Sequence, residues 1–333
     1  MAIVFVDGFD YYPIANITRK WTAGAASSMQ TGVYAGNCVR FNGTNNNISK
    51  AFTAAATIGV SFYLRIFQAS AAATAICIFK DTSTTHVDVR IDANYKLYAT
   101  RNGTTLGSAS TNALSLNTWY HVEIKTLIDD SAGTVEVRIN GTNSGWLNLT
   151  SQDTRNAGNA SVNTINLAPG SSSYFDYDHL VIWNTSGNAP TNFMGDTKVV
   201  TLYPSGDSGT NNAWTASTGS SKYACVDETQ TSDTDYISST TAGNIQTFTK
   251  GACDMATVRA VAINLVQEKD DASAYTIAEL TRSGSTNYAN ATTVAPAASY
   301  VDSQWIRDQD PATSSAWTES GVDNAEFGVK HVT

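Results

Sequence analysis

Only four of the 333 residues are cysteine and six are proline, and charged side chains make up 15% of the chain. Cys38, Cys77, Cys225 and Cys253 show neither CxxC nor metal-type spacing. Cys38 and Cys77 lie in apolar, strand-like runs and read as buried free thiols, the usual state of unpaired cysteine, which fits folding in a cytosolic compartment. The histidines (His86, His121, His179 and His331) form no HxxxH or HExxH pair. No GxSxG, P-loop or dinucleotide-binding glycine pattern occurs either. These absences leave catalysis without support, and a non-enzymatic protein is expected. No run of 18 apolar residues exists to span a membrane as a helix. The opening MAIVFVDGFD has no basic segment and no small-residue cleavage site, so the chain is expected to act inside the producing cell or to leave it by lysis.

Charge is scarce and also uneven. Residues 1–192 hold 12 Lys and Arg against 12 Asp and Glu, whereas residues 193–333 hold 8 against 17, which places the whole net charge of −9 in the second part. So acidic a surface argues against nucleic acid or an anionic membrane as partner. A solvated surface is the plain reading, and docking onto a basic surface or binding cations the sharper one.

What the chain does have is Thr, Ser, Asn, Ala and Gly together with strand-forming aromatics, a composition that suits short strands and many turns. The organising stretch is 116–142, LNTWYHVEIKTLIDDSAGTVEVRINGT. Tyr120, Val122, Ile124 and Thr126 alternate with His121, Glu123 and Lys125, and Val135, Val137 and Ile139 alternate with Glu136 and Arg138. Each arm therefore has one apolar and one charged face, and IDDSAG between them is turn chemistry. Setting Thr134 opposite Leu127 brings Glu123 to Arg138, Lys125 to Glu136 and Ile124 to Val137. A one-residue slip would turn an apolar set to solvent, so this register, or one shifted by two, is expected. Glu123 and Glu136 then read as cross-strand ion-pair partners of Arg138 and Lys125, and a glycosidase carboxylate pair is disfavoured.

Elsewhere, CVRFNG reads as a short strand, residues 60–67 as a buried central strand, and residues 86–92 as an alternating strand; YKLYATRNG ends in a hairpin turn. ASAAATA at 69–75 is an Ala-rich linker, too short to stand alone as a helix. One strand every 8–12 residues is the all-β sandwich pattern. NTSGNAPTNFMGD at 184–196 is taken as the boundary between two domains, 1–190 and 195–333.

NTWYHVEIK…GTVEVRINGT resembles the strand–turn–strand signature of laminin-G-like and concanavalin A-like sandwiches. VFVDGFDYY at 4–12 and SYFDYDHLVIW at 173–183 resemble the opening and closing strands of that family. The resemblance implies an antiparallel β-sandwich over residues 1–190 in which those two strands are neighbours. Asp176 and Asp178 would share one strand face, with Asp7 and Asp10 beside them. Carboxylates grouped in this way fit calcium, which takes six to eight oxygens; the preferred reading gives them to turn backbone and loop hydroxyls.

In the second part, 197–209 reads as a strand followed by a Gly-rich loop, 254–268 as a central strand, and AYTIAELTRSG, TNYANATTV and ASYVDSQWIRD as a meander. Thr318 or Ser320 would N-cap one helical turn over 322–325 before a final strand at 327–332. The ending, with Asp310-Pro311, Ala316-Trp317-Thr318, Val322-Asp323-Asn324 and Glu326-Phe327-Gly328-Val329, resembles one that recurs in tailed-bacteriophage virion proteins. GDTKVVTLYPSGD at 195–207 resembles the start of the same domain. The resemblance implies a smaller, virion-associated β domain over 195–333 and assigns no catalytic residue.

Trp146, Tyr174 and Trp214 sit beside Gly or Ser in expected loops. Aromatics pack cores by default; exposed in sandwich loops, these three would stack on sugar rings. The expectation is a surface component of a virion tail, fibre or capsid, located in the virion and assembled in the host cytoplasm. Its partners would be other virion proteins, copies of itself, as a trimer by family context, and surface glycans. A lectin-like protein or polysaccharide depolymerase is the alternative.

Overall fold

A computed structural model of the chain describes residues 2–43, 46–68, 74–167, 173–186 and 192–333. Most of the expected Ala-rich linker, and residues 187–191 of the expected domain boundary, lie outside them. The chain divides into two compact units. Residues 1–10 and 14–199 form the first, and residues 11–13 and 200–333 the second. Residues 192–199, expected at the boundary or in the second domain, thus belong to the first unit.

The first unit is a β-sandwich built from β1 (Ala2–Asp7), α1 (Ile17–Lys20), β2 (Ala23–Ala25), β3 (Ser28–Thr31), β4 (Asn37–Asn42), β5 (Asn47–Ala55) and β6 (Thr57–Gln68). There follow β7 (Thr74–Asp81), β8 (Thr84–Ile91), β9 (Leu97–Arg101), β10 (Thr104–Leu106), β11 (Trp119–Leu127), β12 (Gly133–Ile139), β13 (Asn148–Gln152), β14 (Val162–Leu167) and β15 (Tyr174–Asn184). One sheet runs β13-β12-β11-β6-β15-β4-β3, with β1 also paired to β15; the other runs β10-β9-β8-β7-β14-β5-β2. The opening and closing strands are therefore neighbours, as expected.

β6 lies at the centre of the larger sheet. Ile58, Val60, Phe62, Leu64 and Ile66 turn inward and are fully buried, each worth about 1.5–3 kcal/mol relative to exposure. Ser61, Tyr63 and Arg65 alternate with them and point to the opposite face. Across the core the Tyr177 hydroxyl of β15 donates to the Ile76 carbonyl of β7 (2.9 Å), and its ring lies 5.2 Å from Phe62. The expected hairpin register is present throughout: Leu127 faces Thr134, Lys125 faces Glu136, Ile124 faces Val137 and Glu123 faces Arg138. Cys38 and Cys77 are buried and free, as are Cys225 and Cys253.

The second unit contains β16 (Pro204–Asn212), β17 (Thr215–Ala216), β18 (Ile237–Ser238), β19 (Ile245–Lys250), β20 (Val261–Gln267) and β21 (Ile277–Ser283). It continues with β22 (Thr286–Ala289), β23 (Val301–Arg307), β24 (Gln309–Asp310), β25 (Ser315–Ala316), α2 (Glu319–Asn324) and β26 (Glu326–His331). Its main sheet runs β16-β19-β26-β21-β22, and β17-β18, β20-β23 and β24-β25 are two-stranded ribbons. Two expectations are corrected here. The strand expected at 197–203 is irregular, while the supposed Gly-rich loop forms β16. β16 is an edge strand with irregular pairing to β19, and an edge tolerates the proline and glycines that a central strand would not. Likewise 254–268 is no central strand, since among the described residues β20 pairs with β23 alone. Met255 and Val258 instead pack from irregular backbone on the Cys253, Trp317, Val322 and Ala325 cluster. The expected cap is present, because Thr318 Oγ1 accepts from the Gly321 N–H (3.0 Å). No helix among the described residues is long and apolar enough to cross a membrane.

Candidate functional site

The outer face of the larger sheet carries most of the sandwich's unusual polar chemistry. The sequence pattern makes this face charged and solvated, yet His121, Glu123, Ser61, Tyr63, Asp178 and His179 are all buried. Residues 192–199 lie across them as a strap. Glu123 Oε1 accepts from the N–H groups of Met194 (2.8 Å) and Gly195 (3.1 Å). The Tyr63 hydroxyl donates to Asp196 and meets the Tyr34 hydroxyl. His179 Nδ1 accepts from the Val199 N–H (3.2 Å). Phe193 lies beneath Arg138 (4.0 Å) and Lys125 (4.8 Å) and edge-on to Trp183. Trp183 fits because its cross-strand partner is Gly59, where a Cβ would stand 2.1 Å from the indole ring.

The register is therefore as expected, but the ion pairs are not. Arg138 Nε turns to Glu136 of its own strand (2.9 Å), and Lys125 donates to Asn192 Oδ1 (2.8 Å). Sequence alternation located the face and could not show its cover, because the strap is remote from the hairpin in sequence, 71 positions separating Glu123 from Met194, and has no strand pattern of its own.

Burial sets the titration of this layer. His121 is held below the usual histidine range, and His179 falls to about 4, both first through desolvation. Asp178 rises to about 7; burial outweighs the N–H groups of Val33 and His179 that favour its charged form, and Asp10 and Asp7 add repulsion. The Tyr63 phenol is pushed up by burial and by Asp196 and Tyr34. Ser61 Oγ lies 2.8 Å from His121 Nε2, but His121 Nδ1 has no hydrogen-bond partner among the described residues. The pair thus lacks the carboxylate that orients a general base in a nucleophilic triad.

The four aspartates proposed for calcium are given to other partners. Asp7 accepts from Lys20 Nζ (3.1 Å), Trp21 Nε1 (2.7 Å) and the Phe9 N–H (2.9 Å). Asp10 accepts from the Asn37 N–H (2.8 Å). A bulge in β15 after Asp178 puts His179 at a positive φ of 48°, which folds its N–H back onto Asp178. Asp176 is claimed by two arginines: Oδ1 accepts from Arg40 Nε (2.7 Å), and Oδ2 accepts from Arg40 Nη2 (2.9 Å), Arg65 Nη2 (2.8 Å) and Arg65 Nε (3.1 Å). Among the described residues no group of three or more His, Cys, Asp or Glu side chains is placed to hold a metal. Turn N–H groups and side-chain cations are the partners of these four candidate calcium ligands.

No protein-family profile matches the chain, and no curated protein matches it. Among solved structures it is similar to a sialidase at 12% identity and a TM-score of 0.36, covering 50% of this chain and 19% of the sialidase. It is also similar to the alginate lyase AlgAT5 from Polysaccharide Lyase family 7 (13% identity, TM-score 0.35, 49% of this chain and 84% of the lyase). A third is a mutant of Trypanosoma rangeli sialidase displaying trans-sialidase activity (13%, TM-score 0.34, 47% and 27%). The chain spans about a fifth of the first sialidase's length. Likeness this weak carries nothing about activity or substrate.

The three aromatics named for glycans are dispersed. Trp146 is half-buried after β12. Tyr174 is 36% exposed at the start of β15. Trp214 lines a shallow cavity of about 260 Å³ with Thr215, Ala216, Gly219, Ser220 and Lys222 in the second unit. The feature that sequence reasoning missed is a row across four adjacent strands, in which Arg40, Asp176, Arg65 and Trp119 are successive cross-strand partners. Arg40 and Arg65 could be noticed singly, but only the strand order makes them share one carboxylate.

Proposed function

We propose that this chain is a non-enzymatic structural protein of a bacteriophage virion, exposed on the particle as a tail, fibre or capsid-decoration component. In this reading residues 1–190 are a laminin-G-like sandwich that is displayed. The acidic second unit docks to other virion proteins, and the chain works as a homo-oligomer, a trimer by family context.

The observation that carries the proposal is the use made of the ending that resembles virion proteins. Its residues are spent on hydrogen bonds and close packing within the fold. Asp310 accepts from Ser283 Oγ (2.8 Å) and the Ala312 N–H (3.0 Å), and Trp317 Nε1 donates to the Arg307 carbonyl (3.0 Å). Asp323 accepts from the Cys253 N–H (2.7 Å), and Glu326 accepts from Thr247 Oγ1 (2.7 Å). At Gly328 a Cβ would stand 2.0 Å from the Gln246 carbonyl oxygen. A signature used in this way maintains a fold that is repeated between proteins, which suits an assembly module better than a reaction site.

The test is immunogold electron microscopy of phage particles purified from lysates of the host carrying this gene, with antibodies raised against residues 1–190. Label at one defined place on intact particles supports the proposal. Unlabelled particles, with the protein recovered free in the lysate, contradict it and favour the lectin-like or depolymerase alternative.

A further inference from the structure

Resting on the reading of the sandwich as a displayed, glycan-contacting unit, we infer that the Arg40–Asp176–Arg65 row binds the carboxylate of an acidic sugar, a uronate or a sialate. Asp176 is wholly buried, whereas both guanidinium side chains are 22% exposed. Two cations share one anion, so the row keeps a surplus positive charge at the surface. Arg40 stacks over Phe67 at 4.1 Å, and Arg65 stacks over Phe67 at 4.6 Å and over Trp119 at 4.5 Å. Ring stacking and the forked bonds to Asp176 fix both guanidinium planes before any ligand arrives. Neither Nη1 makes a hydrogen bond within the described residues. Donors that are fixed, charged and without a partner among the described residues suit a planar carboxylate.

The neighbouring position along β15 and β4 supplies what a sugar needs besides its charge. Tyr174, two residues before Asp176 and on the same face, is exposed and lies opposite the exposed Asn42. A tyrosine ring gives a stacking platform for a pyranose, and an amide serves its hydroxyls. A structural role for Asp176 needs only one arginine, since Arg40 alone satisfies both carboxylate oxygens. Arg65 is then surplus to neutralising it.

The experiment measures binding of the whole chain to four probes by calorimetry: oligogalacturonate, oligosialic acid, methyl-esterified oligogalacturonate and dextran sulfate. The expected result is binding to oligogalacturonate or oligosialic acid, whichever the face accommodates, with loss on esterification and weaker binding to dextran sulfate. R40Q should weaken the carboxylated probe by about tenfold or more while Arg65 still neutralises Asp176. Y174A, at an exposed ring, should weaken it without moving the unfolding midpoint, so the test survives any folding defect in R40Q. Absence of binding to both carboxylated probes, or equal binding of the esterified probe, overturns the inference. So does unchanged affinity in Y174A and in a folded R40Q. Binding that persists for a protein absent from virions would sink the virion proposal and leave this inference standing.

Discussion

Burial decides the chemistry of single residues in the sandwich. Desolvation pushes the Cys38 thiol up to about 12, with Asp176 and Asp178 adding to it, and raises Cys77 well above the ordinary thiol range. Iodoacetamide at pH 8 should therefore leave Cys38 and Cys77 unlabelled in the native protein and label all four cysteines in guanidinium, as read by peptide mass spectrometry. Asp178 and His179 give a second prediction with opposed signs. His179, near 4 when folded against 6.5 unfolded, contributes stability that is full above about 6.5 and lost as pH falls towards 4. Asp178, near 7 when folded against 3.8 unfolded, contributes stability that is full below about 4 and lost as pH rises through 7. Between about 4 and 6.5 the two slopes offset each other. D178N, which imitates the neutral acid, should remove one of them and expose an acid loss of up to about 3 kcal/mol over that window. Urea midpoints of D178N that track wild type from pH 4 to 7 would contradict these assignments.

At the scale of elements, the strap 192–199 holds the outer face by few but well-placed bonds. E123A removes the acceptor for the buried Met194 N–H and the half-buried Gly195 N–H and should cost about 2–4 kcal/mol; hydrogen exchange would show the amides of Met194 and Gly195 losing protection before the sheet does. G59A would drive a methyl group into Trp183 and should cost at least about 2 kcal/mol, measured as a lowered urea midpoint. The β11–β12 hairpin was legible in the sequence down to its register because strict alternation and one turn fix a strand pair locally. The Thr318 cap was legible for the same reason, as a local hydrogen bond. The strap and β16 were not. Glu123 reads as a surface charge until a distant, irregular segment covers it, and PSGDSGTNN carries loop composition that only an edge position allows to pair. The Arg40–Asp176–Arg65 row depends on β4, β15 and β6 lying side by side although they are far apart in sequence, and no local period encodes that order.

For the whole molecule, the division of charge matches the proposed division of labour. Residues 193–333 carry the entire net charge of −9, which suits docking on a basic particle surface, and such an interface weakens with salt. The sandwich is neutral overall and presents the Arg40 and Arg65 guanidinium groups together on one face. A protein that builds a particle must be present in fixed proportion to it, whereas a secreted binder or enzyme need not be. The measurement that bears most directly on this account is the copy number of the chain in purified virions, by quantitative mass spectrometry against the major capsid protein. The account predicts a constant stoichiometry between preparations, either lattice-scale for a capsid decoration or a small multiple of three or six for a tail or fibre component. Absence from the particles, or an amount that varies between preparations and washes away, would contradict it.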